Sequence, residues 1–341
     1  MEINRKELLE ALNAVKPGLA SKEVLEQTTS FIFQKKKIYT YNDEIAITTD
    51  TPLDITGAIP SKELHGILTK KSEEVLNIEV VDNELQIKGK RSKSGIRLDE
   101  EITIPIKEIG KPKEWNKIPE NFTQALKMCV GSASTDMTKP VLTCIHLFEN
   151  YVESMDNLRL TRFDLSKTDD DGDLFFPDHI LLPASSAAQL INYTPVKYSL
   201  TDGWIHFKCG NNVIFSCRIQ EGEYPEIEQY IELKKSASLK LPSNLTDIIN
   251  KAAIFASSDF DSDTQIKVTI KEKKIVIRGE GNTGWFEESA KIKYEGKPVT
   301  CYLHPAHLSY IISHLDHCEV NENAMKFIGN DFCHVISIES E

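Results

Sequence analysis

The chain has 341 residues, enough for two or three domains with cores of their own, and no apolar run approaches the roughly 20 residues that a membrane helix needs. It is 40% hydrophobic and 27% charged, with a formal charge of −12. That balance argues against a protein that simply coats nucleic acid, because such binding needs Lys and Arg facing phosphates, but it leaves open a local basic surface on an acidic body. The N-terminal "MEINRKELLEALNAV" lacks the apolar centre of a signal peptide. Seven cysteines, odd in number and without C-x-x-C, read as buried reduced thiols of a cytoplasmic protein.

The first predicted element is a one-sided helix in "ELLEALNAV", with Leu8, Leu12 and Val15 inward and Asn4 as N-cap. Strand-like runs follow, such as "SFIFQKKKIYTY", and then "AIPSKELHGIL", a second helix with Leu64, Ile67 and Leu68 inward. Two strands lead to Gly89. This succession returns. Phe122, Leu126 and Val130 match the first helix, with Asn121 as cap, and "LLPASSAAQLI" matches the second through Ala187, Leu190 and Ile191. It returns again with Leu245, Ile248 and Ile249 behind Ser243, and with Leu308, Ile311 and Ile312 in "YLHPAHLSYII".

Pro60, Pro183 and His304 lie 123 and 121 positions apart, and Gly89, Gly210 and Gly329 lie 121 and 119 apart. Each repeat therefore reads as helix, two or three strands, helix, three strands. The predicted class is α+β, with two helices packed on one face of antiparallel sheet in each repeat. Polar, Pro-containing stretches near "KPKEWNKIPEN" and "IELKKSASLKLPSN" divide the chain into domains 1–116, 117–234 and 235–341. Three copies with unlike ends suggest head-to-tail closure into a larger symmetric object.

Chemistry-bearing motifs are sparse. No P-loop, G-x-S-x-G, H-E-x-x-H or dinucleotide fingerprint occurs, and no nucleophile stands with a base. The chain reads as a non-enzyme without cofactor. His304, His307, His314, His317 and Cys318 offer imidazole and thiolate to zinc, but His307 and His314 are two turns apart, too far to share one ion readily. "KTDDDGDLFF" has Lys167 at the first ligand position of a calcium loop and no Glu at Asp178, so Asp171-Gly172 reads as a turn.

Taken in order over the whole chain, several stretches resemble the bacterial DNA polymerase III beta subunit, the sliding clamp. They are "IPSKELHGIL", "IKGKRSKSGIRL" and "IPIKEIGKPKEW" in the first repeat, "TKPVLTCIHLFE", "SMDNLRL" and "EGEYPEIEQYI" in the second, and "NKAAIF" in the third. In "SMDNLRL", Asp156, Arg159 and Leu160 match the family's Thr-Asp-Gly-His-Arg-Leu-like run, while Met155, Asn157 and Leu158 depart from it. The resemblance implies a DNA clamp fold. Three similar domains would make half of a homodimeric ring, with helices lining a central hole and sheets outside. Such a ring holds duplex DNA by enclosure, without sequence readout, so an acidic exterior is tolerable.

The resemblance also implies sites. Lys22 and Lys139, on loops after first helices, and Lys251 match basic positions of the family, and Lys127 lies on a first helix. Lys70 and Lys71 end a second helix, and Lys90, Arg91 and Lys93 form the densest basic run, completing the expected DNA-facing set. Glu10, Ala184 and Ser185 fall where clamps often carry basic residues. A pocket for a short apolar peptide of the polymerase or clamp loader is expected at Leu142, Leu158, Arg159, Leu160, Pro225, Gln229 and Tyr230. Val335 and Ile338 would contribute from a tail, "HVISIESE", that lacks the family's Met and Pro and ends on Glu339 and Glu341. These departures are those of a divergent or phage-encoded member. Ring closure would use Ile254 and Phe255 against Ile109 of the other subunit. The function implied is that of a processivity factor in DNA replication. Two competitors are a clamp-fold interaction protein that does not encircle DNA, and a metal-dependent enzyme built on the histidines.

Overall fold

The structure is a computed structural model describing residues 1–165, 174–234, 237–256, 264–315 and 317–338. Its elements repeat three times as one strand, a helix, four strands, a helix and three strands. The first repeat runs from Glu2–Asn4 and α1 (Arg5–Val15) through Ser30–Gln34, Lys37–Tyr41, Ile45–Asp50 and Gly57–Pro60. It continues with α2 (Ser61–Lys70), Val75–Val81, Glu84–Lys88 and Lys93–Arg97. The second has Asn116–Lys117, α3 (Phe122–Val130), Cys144–Glu149, Tyr151–Met155, Arg159–Asp164 and Phe176–Pro183. It then has α4 (Ala184–Leu190), Pro195–Thr201, Trp204–Cys209 and Ile214–Arg218, followed by the single turn α5 (Glu228–Ile231). The third has Ala237–Lys240, α6 (Leu245–Ala256), Ile266–Lys271, Lys274–Gly281, Gly284–Lys291 and Val299–Leu303. It closes with α7 (Pro305–Ile312), His317–Val320, Ala324–Ile328 and Phe332–Ser337.

The α+β class holds, with four strands between the helices of each repeat where two or three were expected. The last of the four runs straight into the second helix, so no turn residue announces it. Pro60, Pro183 and His304 each stand immediately before that helix. His304 acts as a cap, its Nδ1 accepting from the His307 backbone N–H at 3.4 Å. Asn4 caps α1 by accepting from Lys6 N at 2.9 Å and Glu7 N at 3.3 Å. Asn121 does not cap α3, since its buried amide has no hydrogen-bond partner among the described residues. Ser243 stands one residue too early, because α6 begins at Leu245. The polar boundary stretches also carry the short strands Asn116–Lys117 and Ala237–Lys240.

Two compact units emerge: residues 1–123 with 185–220, and 124–184 with 221–341. The first unit holds an eight-stranded antiparallel sheet in which Ile45–Asp50 pairs with Ile214–Arg218 (Phe215 opposite Ile47). A four-stranded sheet has Lys93–Arg97 at one edge. α1 lies on the strands Lys37–Tyr41 and Ile45–Asp50 beside α2, burying Leu8, Leu12 and Val15 completely. Phe31, Ile32 and Phe33 are consecutive and all fully buried, so this strand is covered on both faces. On one side α2 packs against the strand. The other cover is the segment after the first repeat, whose Ile104 and Ile109 pack with Ile32, Tyr41, Ala46, Ala58 and Trp204. Each such aliphatic burial contributes about 1.5–3 kcal/mol.

The second unit repeats the plan. Its eight-stranded sheet joins Arg159–Asp164 to Phe332–Ser337, with Leu160 opposite Val335 and Thr161 opposite His334. Its four-stranded sheet ends on Gly284–Lys291. α6 lies on that edge strand and its neighbour Lys274–Gly281, beside α7. The approach is so close that a Cβ on Gly279 would stand 1.9 Å from the Ala252 carbonyl oxygen. Glycine is required there by space.

Candidate functional site

The segment around α5 covers one face of the second unit's large sheet. Leu160 and Val335, cross-strand neighbours, bury with Ile227, and Met155, Tyr224, Ile231, Leu233 and Ala324 pack around them. The same segment presents Pro225, Gln229 and Tyr230 to solvent, with Tyr230 50% exposed. Gly222, at φ +142, comes so near Val141 that a Cβ would sit 2.5 Å from Val141 Cγ1. The expected docking residues therefore divide. Leu160 and Val335 form a sealed apolar base, and Pro225, Gln229 and Tyr230 form an exposed rim. Leu142 is buried in the turn Pro140–Thr143, and Ile338 is buried with its N–H on the Asn323 carbonyl at 2.7 Å. Glu339, Glu341 and the Lys167 and Asp171-Gly172 positions lie outside the described residues.

A polar ladder, buried at His146 and Glu153, ties this segment down. His146 Nδ1 lies 3.1 Å from Glu153 Oε2, and its Nε2 lies 2.9 Å from His179 Nδ1. Arg162 donates through Nε to Glu153 and through Nη2 to Glu228 Oε1 of α5 at 2.6 Å. Burial pulls the Arg162 guanidinium down, but the carboxylates of Glu153 and Glu228 outweigh it and hold its pKa above the usual value. The hydrogen bond from Arg162 in turn lowers the Glu228 carboxyl. An almost fully buried Glu153 needs both partners, since an unpaired charge there would be strongly destabilising.

Pairing sets Arg159 opposite Ile336, on the sheet face opposite to Leu160. Leu158, 47% exposed, and Arg159 line a cleft of about 240 Å³ with Thr135, Asp156, Tyr302 and His304 on its walls. Asp156 accepts from Arg159 Nε at 3.1 Å and from the Leu158 and Arg159 amides. Beneath them Ser132, Thr161, His307 and His334 form a hydrogen-bonded cluster that the sequence reading missed. Ser132 and His334 are 202 positions apart, and only the pairing of two distant strands brings them together. The helix meant to align His307, His314 and Cys318 stops at Ile312, and Cys318 is buried on the next strand. Among the described residues no three His, Cys, Asp or Glu side chains are grouped to hold a metal ion.

Of the nine basic candidates, Lys22, Lys70, Lys90, Arg91, Lys93, Lys127 and Lys139 are exposed. Lys139 Nζ reaches Asn157 Oδ1 at 3.1 Å. Two depart from a free cationic surface. Lys71 is buried, its ammonium donating to Ser92 Oγ at 2.6 Å. Lys251 lies 2.8 Å from Asp247 and 3.2 Å from Glu288, whose hydrogen bonds raise its pKa and offset its charge.

At the third repeat, Ile254 is 70% exposed at the end of α6, and Phe255 stacks on Phe286 of the edge strand at 6.3 Å. Trp285, 59% exposed, lies under the Arg278 guanidinium at 4.7 Å. Ile109, expected opposite Ile254, is instead core, 8% exposed in the cluster around Ile32 and Trp204. The apolar run around it serves to cover the sheet.

No protein-family model matches the chain. Solved structures do resemble it along its full length. A putative DNA polymerase III beta subunit from Eubacterium rectale gives a TM-score of 0.80 at 15% identity, covering 100% of this chain and 99% of that one. The sliding clamp of Bacillus subtilis gives 0.79 at 16%, covering 100% and 98%. The sliding clamp of Pseudomonas aeruginosa, bound to griselimycin, gives 0.77 at 14%, covering 100% and 99%. The α+β fold expected from the three repeats is thus the fold of the DNA polymerase III beta subunit sliding clamps, from one end of the chain to the other.

Proposed function

We propose that this protein is a DNA sliding clamp, a homodimeric ring of three domains per chain (1–116, 117–234 and 235–341) that encloses duplex DNA and tethers a polymerase. One observation carries the reading. Each eight-stranded sheet joins the four-strand block of one repeat to the single strand and three-strand block of the next. Two half-sheets remain, one ending on Lys93–Arg97 and the other on Gly284–Lys291. Those edges are the counterparts of the two that pair within the chain. Joining them between two copies, head to tail, makes a third kind of eight-stranded sheet and closes a ring. Ile254, Phe255 and Trp285 supply the apolar part of the contact.

In this reading the exposed Lys22, Lys70, Lys90, Arg91, Lys93, Lys127 and Lys139 supply a modest positive potential toward phosphates, enough for a ring that holds DNA topologically. The polymerase or loader docks a short apolar peptide against Pro225, Gln229 and Tyr230, above the base of Leu160 and Val335, with Leu158 and Arg159 offered by the cleft on the other face of the sheet. The protein acts in the cytoplasm, without chemistry of its own. The competing reading, a clamp-fold interaction protein that does not encircle DNA, draws support from the burial of Lys71 and the pairing of Lys251. Electron microscopy of the purified protein separates the two. Six-lobed rings with a hole wide enough for a duplex support the clamp, and compact particles without a hole refute it.

A further inference from the structure

The four-stranded sheet of the second unit has one covered face and one open face. Val268, Ile270, Ile275 and Ile277 are buried on the face beneath α6, and strand alternation puts the residues between them on the other side. Cross-strand pairing sets those side chains in rows. Lys271, Lys274 and Lys291 form the first, Thr300, Thr269, Val276 and Ser289 the second, and Tyr302, Lys267, Arg278 and Glu287 the third. Four residues of strand separate the first row from the third, about 14 Å. On a chain with a formal charge of −12, this face carries Lys267, Lys271, Lys274, Arg278 and Lys291 against Glu280 and Glu287. Both carboxylates are taken up by Arg278, at 3.0 and 3.5 Å. Lys271, Lys274 and Lys291 have no carboxylate partner among the described residues. Tyr302, 51% exposed, ends the third row with Lys267 Nζ 5.7 Å from its ring centroid. A hollow of about 480 Å³ is lined by Tyr302, Lys267, Thr269, Arg278 and Gln265. Val276 is the one aliphatic side chain in the three rows, so an apolar partner has little to bury against.

We propose that this face binds single-stranded nucleic acid, with phosphates on the row of Lys271, Lys274 and Lys291 and an unpaired base stacked on Tyr302. Lysines not committed to carboxylates meet the backbone charge, and an aromatic ring accepts any base because every base has a π-face. A duplex keeps its bases stacked on one another and offers Tyr302 nothing to receive. An acidic polypeptide would use the lysine row alone and leave the ring idle. Glu280 and Glu287 stand toward the edge strand Gly284–Lys291, so repulsion directs the phosphates to the opposite edge, Val299–Leu303, where Tyr302 lies. Trp285, on the edge assigned to ring closure, stays with that contact. The inference rests on the ring reading only for direction: with helices lining the hole, the face opposite α6 points away from the enclosed duplex.

The test is fluorescence anisotropy of the full chain with a fluorescein-labelled oligothymidylate of about 12 nucleotides, over a salt series. Binding should saturate, and the triple variant Lys271→Ala, Lys274→Ala, Lys291→Ala should lower the slope of log affinity against log salt by about 2, at about 0.7 per phosphate contact. Tyr302→Ser should weaken binding at least about fivefold, the low end of what one stacked base contributes, and Tyr302→Phe should keep it. No saturable binding overturns the proposal. So does a blunt duplex of the same length that binds as tightly, polyglutamate that displaces the probe as well as unlabelled oligothymidylate does, or a Tyr302→Ser chain that binds unchanged. All four substituted positions are exposed. If a variant still does not fold, the comparison of single strand, duplex and polyglutamate on the unaltered chain decides. Retention on circular DNA is measured on the same preparation. A retained protein that ignores the oligonucleotide sinks this inference alone, whereas oligonucleotide binding without retention sinks the ring alone.

Discussion

If the chain closes into the proposed ring, replacing Ile254 by Ser should open it while leaving each chain folded. Ile254 is 70% exposed in the single chain, so its removal there leaves no cavity. Fully burying an isoleucine contributes about 1.5–3 kcal/mol, so burying the exposed 70% would contribute about 1–2 kcal/mol per interface. A head-to-tail dimer has two such interfaces, giving about 2–4 kcal/mol in all. At about 1.4 kcal/mol per factor of ten, the dimer should weaken roughly 30- to 1,000-fold. The thermal midpoint of the monomer should barely move, as expected for a surface substitution. Sedimentation equilibrium over a concentration series reads both species. An unchanged dimer constant in I254S, or an unaltered chain that never dimerises at micromolar concentration, would refute the assignment of this surface to ring closure.

Other consequences follow from single contacts. His206 is buried between Ser216 and Thr201; Thr201 Oγ1 donates to the Ile109 carbonyl at 3.0 Å, so it accepts from His206 Nε2–H at 2.8 Å, and Nδ1 takes the Ser216 hydroxyl. Burial lowers His206 to about 4 from 6.5, so its neutral form contributes stability that is complete above about pH 6.5 and lost as pH falls toward 4. Between pH 7 and 4.5 this amounts to about 2.5 kcal/mol. Urea unfolding of H206Q should show that much less acid sensitivity. Gly131→Ala would push a methyl group into His307 and should cost about 1–3 kcal/mol, read as a lower urea midpoint. Lys139→Ala should reduce the salt dependence of DNA binding by about 0.9 in slope, while Lys251→Ala, already offset by Asp247 and Glu288, should leave the slope unchanged. Equal effects of the two would contradict the charge assignment.

What was legible in the sequence is what local periodicity encodes. The i, i+3, i+4 stripes placed six helices, and the recurrence of Pro60, Pro183 and His304 marked one point in each repeat. The strand before each of those residues was hidden because it passes into a helix without a turn. The run around Ile109 was misassigned for a different reason: an apolar segment looks the same whether it covers a sheet of its own chain or meets another chain. Lys71 and Lys251 carry charge in the sequence, but only tertiary neighbours such as Ser92 and Glu288 decide how much of it is offered to solvent. The Ser132–His334 cluster had no local signal at all, since its members come from a loop, a helix and two paired strands. Sheet order was likewise invisible, although it carries the case for a ring.

The most direct test of enclosure is retention on DNA of different topology. The protein is assembled on a nicked circular plasmid by brief dissociation and reassociation of its dimer, then passed through a sizing column in 0.5 M salt. The ring account predicts co-elution with the circle and loss of the protein after the circle is cut once. Loss from circle and linear DNA alike, or equal retention on both, would mean that the protein does not hold DNA by encircling it.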